Sequence, residues 1–100
     1  MKFYYLTVDG MFSGSGIRDS VEGGYFYLRD LKLSDSFIYR IKKWLENYAE
    51  MHFPGYGDRA GIAILDKEGL DICLALQQEI PFSKIEYYSV GEGRKLLLSQ

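Results

Sequence analysis

Three features of this 100-residue chain have the makings of a reactive centre. They are one cysteine (Cys73), one histidine (His52) and a glycine-rich stretch, VDGMFSGSGIRDSVEGG, from Val8 to Gly24. The stretch follows an apolar run, as a phosphate-binding loop would. Such a loop needs G-x-x-x-x-G-K-[ST], in which the lysine reaches the phosphates and the backbone amides open a helix. The sequence has Gly10, Gly14 and Gly16 but no lysine in the required place, and Gly14-x-Gly16 is followed by Asp19 where a dinucleotide fingerprint requires glycine. A strand, not a helix, is expected next. The stretch is therefore not read as a nucleotide site.

The remaining reactive groups fare no better. Cys73 falls on an apolar helical stripe, where a thiol packs as a small hydrophobe and its thiolate is disfavoured. His52 stands at a helix end, where its cation would face the last carbonyls. One histidine and one cysteine do not make a zinc ligand set. DKEGLD, from Asp66 to Asp71, lacks the regular oxygen ligands of a calcium loop; Asp66 and Glu68 suit the first turn of a helix instead. Asp19 and Glu22 are close in sequence, but acid–base hydrolysis needs two carboxylates facing each other across a pocket. No catalytic residue, metal ligand or cofactor is assigned.

Surface recognition remains. Exposed carboxylates complementary to a basic surface speed encounter and set specificity. Tyrosine, present nine times here, buries a large area with few rotors and is favoured at interfaces, although it also fills small cores. Asp9, Phe12, Ile17, Asp19, Glu22, Tyr25 and Tyr27 are read as the partner-binding set: a loop of mixed acidic and apolar character with two neighbouring phenols.

The elements that position these residues follow from periodicity. KFYYLTV (Lys2 to Val8) and YFYLR (Tyr25 to Arg29) read as strands, rich in aromatic and β-branched residues. LSDSFIYRIKKWLENYAEMHF reads as a helix capped by Ser34, with Asp35 at its positive end and Pro54-Gly55 beyond its stop. Its apolar stripe is Phe37, Ile41, Trp44, Leu45 and Tyr48, and Lys43 and Glu46 are spaced to pair. AILDKEGLDICLALQQEIP reads as a second helix with Leu65, Ile72, Cys73, Leu76 and Ile80 on one face; its AGIAIL start also suits a strand. Gly69 shares that face. Glycine within a helix is about 1 kcal/mol worse than alanine, which points to close approach by the first helix or the sheet. KIEYYSV alternates as a strand does, and Gly91-Glu92-Gly93 turns it into RKLLL. The expected fold is α+β, in the order β-β-α-α-β-β, with a small, mainly antiparallel sheet and two helices on one face. The other face should then carry some of the tyrosines, unless the glycine-rich loop folds over it.

Bulk properties set the limits. A hydrophobic content of 47% and a charged content of 26% are those of a folded protein, and 100 residues suit a single domain spanning 1–100. A net charge of −2 gives no electrostatic footprint for direct nucleic-acid binding. A single cysteine allows no internal disulfide, which fits a reducing, cytoplasmic address. The N-terminal apolar run ends at Asp9 with no cleavage site after it. No apolar run approaches the roughly 18 residues of a membrane span. The expected state is a monomer or a weak homodimer.

The pattern from Ser34 to Ser89 resembles a group of small bacterial proteins. It comprises a capped, Trp-containing helix, an acidic-Glu-Gly-hydrophobic helix (LDKEGLDICLALQQEIP) and a Lys-hydrophobic-Glu-Tyr-Tyr strand (KIEYYS). Some proteins of this kind are immunity proteins of polymorphic or contact-dependent toxin systems. The resemblance implies a stoichiometric, non-enzymatic inhibitor whose partner is a cognate protein toxin, a nuclease with a basic cleft being one form. The residues themselves leave two alternatives open: a small enzyme or ligand-binding domain with a pocket under the Gly/Ser loop, and a homodimeric structural protein.

Overall fold

The computed structural model of the chain describes residues 4–11, 13–52 and 59–97. Its elements are β1 (Tyr5–Asp9), β2 (Ile17–Asp19), α1 (Asp35–His52), α2 (Arg59–Glu79), β3 (Lys84–Ser89) and β4 (Arg94–Leu96), with a 3-10 turn at Leu28–Leu31 before α1. The expected α+β class and order β-β-α-α-β-β hold. The four strands form one sheet in the order β2-β1-β3-β4. Both outer pairings are antiparallel, while the central β1–β3 pair is parallel. A parallel pair needs a long crossover, and β2 and both helices supply it.

The second strand is not where the aromatic pattern placed it. β2 is Ile17–Asp19, pairing Val8 with Ile17 and Leu6 with Asp19. Of YFYLR, only Tyr25 makes a bridge, to Arg18. Gly23 and Gly24 explain this. Their φ values of +82° and +75° make a tight turn directly after β2, a conformation that glycine adopts without steric cost. The returning chain finds only three residues to pair with. It then winds into the 3-10 turn, which buries Leu28 and Leu31.

Strand alternation divides the sheet into two faces. Leu6, Val8, Ile17, Ile85 and Tyr87 point inward into the core with Phe37, Ile41, Trp44, Tyr48, Ile72, Cys73 and Leu76 from the helices. Both helices lie on this side. The Trp44 ring sits 5.7 Å from that of Tyr48 and 6.2 Å from that of Tyr87. Its indole N–H donates to the Leu65 carbonyl at 2.9 Å, fixing α1 against α2. On the outside, Arg40 of α1 makes a two-pronged bond to Glu68 of α2 at 2.9 and 3.1 Å. Glu79, at the end of α2, accepts from the Ser34 amide and hydroxyl at 2.9 and 2.8 Å. Ser34 Oγ in turn accepts from the Phe37 amide at 3.4 Å, the expected cap.

Helix α2 spans Arg59–Glu79, so AGIAIL is helical and not a strand. The glycine within it has the anticipated reason. A Cβ at Gly69 would lie 2.4–2.6 Å from the ring and hydroxyl of Tyr87. The close approach is therefore to the sheet. Pro54-Gly55, the expected stop of α1, lies outside the described residues. Among the described residues no helix is long and apolar enough to cross a membrane.

Candidate interaction surface

Two buried aspartates organise the polar groups of the molecule. The first, Asp9, ends β1 on the outer side of the sheet and is only 1% exposed. Its Oδ1 accepts from the Tyr25 hydroxyl at 2.7 Å and the Met11 amide at 3.2 Å. Its Oδ2 accepts from Arg18 Nε at 3.1 Å. Arg18 also donates to the Tyr25 oxygen at 2.8 Å, and its guanidinium lies 4.6 Å from the centre of that ring. The bond to Asp9 raises the already high pKa of Arg18. Burial first, and Asp9 second, push the Tyr25 phenol up, so it stays protonated and donates. Gly14 packs against the Tyr25 ring, where an added Cβ would come within 2.6 Å. The Gly/Ser loop thus closes over the Asp9 end of the outer face.

The second, Asp66, sits within α2 and is 3% exposed. Oδ1 accepts from the hydroxyls of Tyr48 at 3.0 Å and Tyr87 at 2.6 Å, and Oδ2 accepts from Ser89 Oγ at 2.6 Å. Two backbone amides of the β3–β4 turn complete the cluster: Gly91 donates to Tyr48 Oη at 2.9 Å and Glu92 to Ser89 Oγ at 3.0 Å. Burial pushes the Tyr48 phenol up to about 12 and raises that of Tyr87 still more, with Asp66 adding to the latter. Asp66 is therefore not a first-turn charge, as its place in DKEGLD suggested; it joins both helices to the sheet. Cys73, two turns further along α2, is fully buried in the core, its thiol raised by desolvation and directed at the Glu86 carbonyl 3.9 Å away.

The seven residues expected to contact a partner separate on this geometry. Asp9 is sequestered by Arg18 and Tyr25, and Ile17 is wholly within the core. Both were expected at the surface; a chain this short needs them inside, one to anchor a loop and one to fill the sheet's inner face. Asp19 Oδ1 accepts from the amides of Val21 and Glu22 at 2.9 and 3.0 Å, shaping the turn between β2 and Tyr25. Tyr25 is half-buried on Asp9. Glu22 is exposed at that turn beside Val21, and Tyr27 is 69% exposed. Phe12 lies outside the described residues.

Pairing register reveals the surface that local reading only sketched. The outer face carries Tyr5, Thr7 and Asp9 from β1, Arg18 from β2, Lys84, Glu86 and Tyr88 from β3, and Lys95 from β4. Tyr5 and Tyr88 are the outward tyrosines that the alternation anticipated. Most charges on this face already have a neighbour. Lys95 bonds Glu86 at 3.1 Å, Arg18 bonds Asp9, and Lys84 Nζ lies 5.5 Å from the centre of the Tyr5 ring. Comparison of the chain with protein-family models, with curated proteins and with solved structures returns no match.

Proposed function

We propose that this chain is a stoichiometric protein-binding inhibitor, an immunity protein in the sense that the sequence resemblance implies, and that it engages its toxin through the outer face of the sheet. The observation that carries this reading is the composition of that face. Among the described residues no helix covers it, and it presents two phenols among two ion pairs, Arg18–Asp9 and Lys95–Glu86, with Lys84 beside the Tyr5 ring. Groups held in place by their neighbours lose little freedom on binding, which lowers the entropic penalty of association. Tyrosine and arginine are the residue types on which interface energy concentrates.

The geometry also changes the contact first expected. With Asp9 and Asp19 bound internally, the Gly/Ser loop has little carboxylate to offer a basic cleft. The outer face holds three cations against two carboxylates, so its complement is a neutral or mildly acidic patch. The inhibitor then acts by covering or holding its toxin, and need not mimic a phosphate backbone.

The test is co-expression with the product of the adjacent gene, followed by affinity capture. A 1:1 complex and relief of that product's toxicity are expected. Exchanging Tyr88→Ser together with Lys84→Glu should abolish capture while leaving the melting temperature within a few degrees. If the neighbour is harmless alone, or copurifies equally well with the double variant, the proposal fails. A stable homodimer whose outer faces are buried would instead favour self-assembly.

A further inference from the structure

The Gly/Ser loop closes one more feature. Where Gly14 and Ser15 approach the 3-10 turn and α1, a groove of about 540 Å³ is lined by Tyr27, Leu28, Arg29, Ile38, Lys42 and Leu45. Its volume lies within the roughly 300–1,000 Å³ range of binding pockets. The floor is apolar: Leu28 is buried, and Ile38 and Leu45 are half-buried, one α1 face seven residues apart. The rim is cationic. Arg29 and Lys42 are exposed, and among the described residues neither has a carboxylate partner; the Arg29 guanidinium rests 5.5 Å from the centre of the Tyr27 ring. On the sheet's outer face, by contrast, two of the three cations, Arg18 and Lys95, hold a carboxylate, and only Lys84 rests beside a ring as Arg29 does.

We propose that this groove is an anchor site for a partner's peptide segment in which apolar side chains stand beside a carboxylate. The inference rests on the protein-binding reading and adds the partner's chemistry to it. Two unpaired cations above an apolar floor match such a segment on both counts. The apolar side chain fills the volume over Leu28, Ile38 and Leu45, and the carboxylate takes the forked donors of Arg29 with Lys42 beside it. Tyr27, largely exposed in the free chain, is positioned to close over the segment. A basic segment would meet two like charges.

The experiment is an amide-resolved NMR titration of the intact chain with an acetylated tetrapeptide carrying two leucines between two glutamates. Its twin with lysines in place of the glutamates is the control. Shifts clustered at Leu28, Ile38, Lys42 and Leu45 are expected for the acidic peptide, with at least tenfold weaker binding by the basic one. Arg29→Glu with Lys42→Glu should weaken the acidic peptide at least tenfold without changing the melting temperature by more than a few degrees. The proposal is overturned if neither peptide perturbs the groove, if both bind equally, or if decanoate shifts these residues at lower concentration than the peptide does. Capture of the toxin separates the two proposals. If the groove variant still captures it and the outer-face variant does not, the groove inference fails alone. If neither the native chain nor any variant captures it, the immunity reading fails, and the peptide titration still decides the chemistry of the groove.

Discussion

Asp9 and Asp66 are both carboxylates withdrawn from water, yet they are neutralised in different ways. Asp9 has a cation: the Arg18 guanidinium, itself about one-third exposed, plus a phenol and an amide. Among the described residues, Asp66 accepts from three hydroxyls and from no cation. The difference follows from depth. At the sheet surface, an arginine can pair with a carboxylate while the rest of its head stays hydrated. Between the helices and the sheet a second charge would lose its hydration on every side, adding a further desolvation penalty. Neutral donors already held in place by packing satisfy Asp66 instead. The first aspartate fastens a loop, and the second fastens the fold.

The largest test of this contrast is removal of each acceptor. Asp66→Ala leaves the hydroxyls of Tyr48, Tyr87 and Ser89 without their carboxylate. At roughly 1 kcal/mol or more for each, the loss should reach about 3–5 kcal/mol in urea denaturation, a large share of the stability of a domain this size. Asp9→Asn should lose only about 1 kcal/mol, because the ion pair is partly solvated, while hydrogen exchange at Met11 should quicken. Equal losses would break the distinction.

Alkaline pH probes the same regions. Tyr48 and Tyr87 on Asp66, Cys73 in the core, and Tyr25 at Asp9 all ionise above their ordinary values. The folded chain therefore keeps protons that the unfolded chain releases. Their contribution is complete below the ordinary values of 9.0 for the thiol and 10.0 for the phenols, and is lost as pH rises from there to the raised values of the folded chain, with Tyr48 losing its share by about 12. Stability should fall above pH 9, by up to about 1.4 kcal/mol per pH unit for each proton retained. Tyr87→Phe should flatten this limb more than Tyr25→Phe, measured by denaturation at stepped pH.

Gly69→Ala tests the packing beside Asp66. Alanine is the better helix former by about 1 kcal/mol, but its methyl would collide with the Tyr87 ring, and overpacking typically costs about 1–3 kcal/mol. A net loss is expected; a gain would mean that Tyr87 can move aside. The smallest effect should come from Ser34→Ala, a cap loss of about 1 kcal/mol. Because Ser34 Oγ also donates to Glu79, combining it with Glu79→Gln should cost less than the sum of the two single variants.

Periodicity made the two helices, the last hairpin and a close approach at Gly69 legible, because each is recorded in neighbouring residues; that the approach is to the sheet came from Tyr87. The 3.6-residue stripe through Phe37, Ile41, Trp44 and Tyr48 can only be one buried face. Gly69 at a core position can only mean close approach. The site was much less legible. Tyr25-Phe26-Tyr27 looks like a strand because local sequence reports propensity and not whether a partner strand is present. Asp9 and Asp19 look like surface charge because nothing near them in sequence reveals Arg18 Nε or the turn amides that engage them. Arg29 and Lys42, thirteen residues apart, carried no shared signal at all.

By itself, then, the sequence determined the class of fold, the buried helix faces, the capped start of α1 and the shortage of reactive groups. All of these depend on patterns within a few residues. Only the tertiary structure decided that β1 and β3 pair in parallel, which carboxylates are taken up internally, and where Arg29 and Lys42 stand together over apolar side chains. Those outcomes depend on which distant segments meet, and that is fixed by packing the whole chain at once.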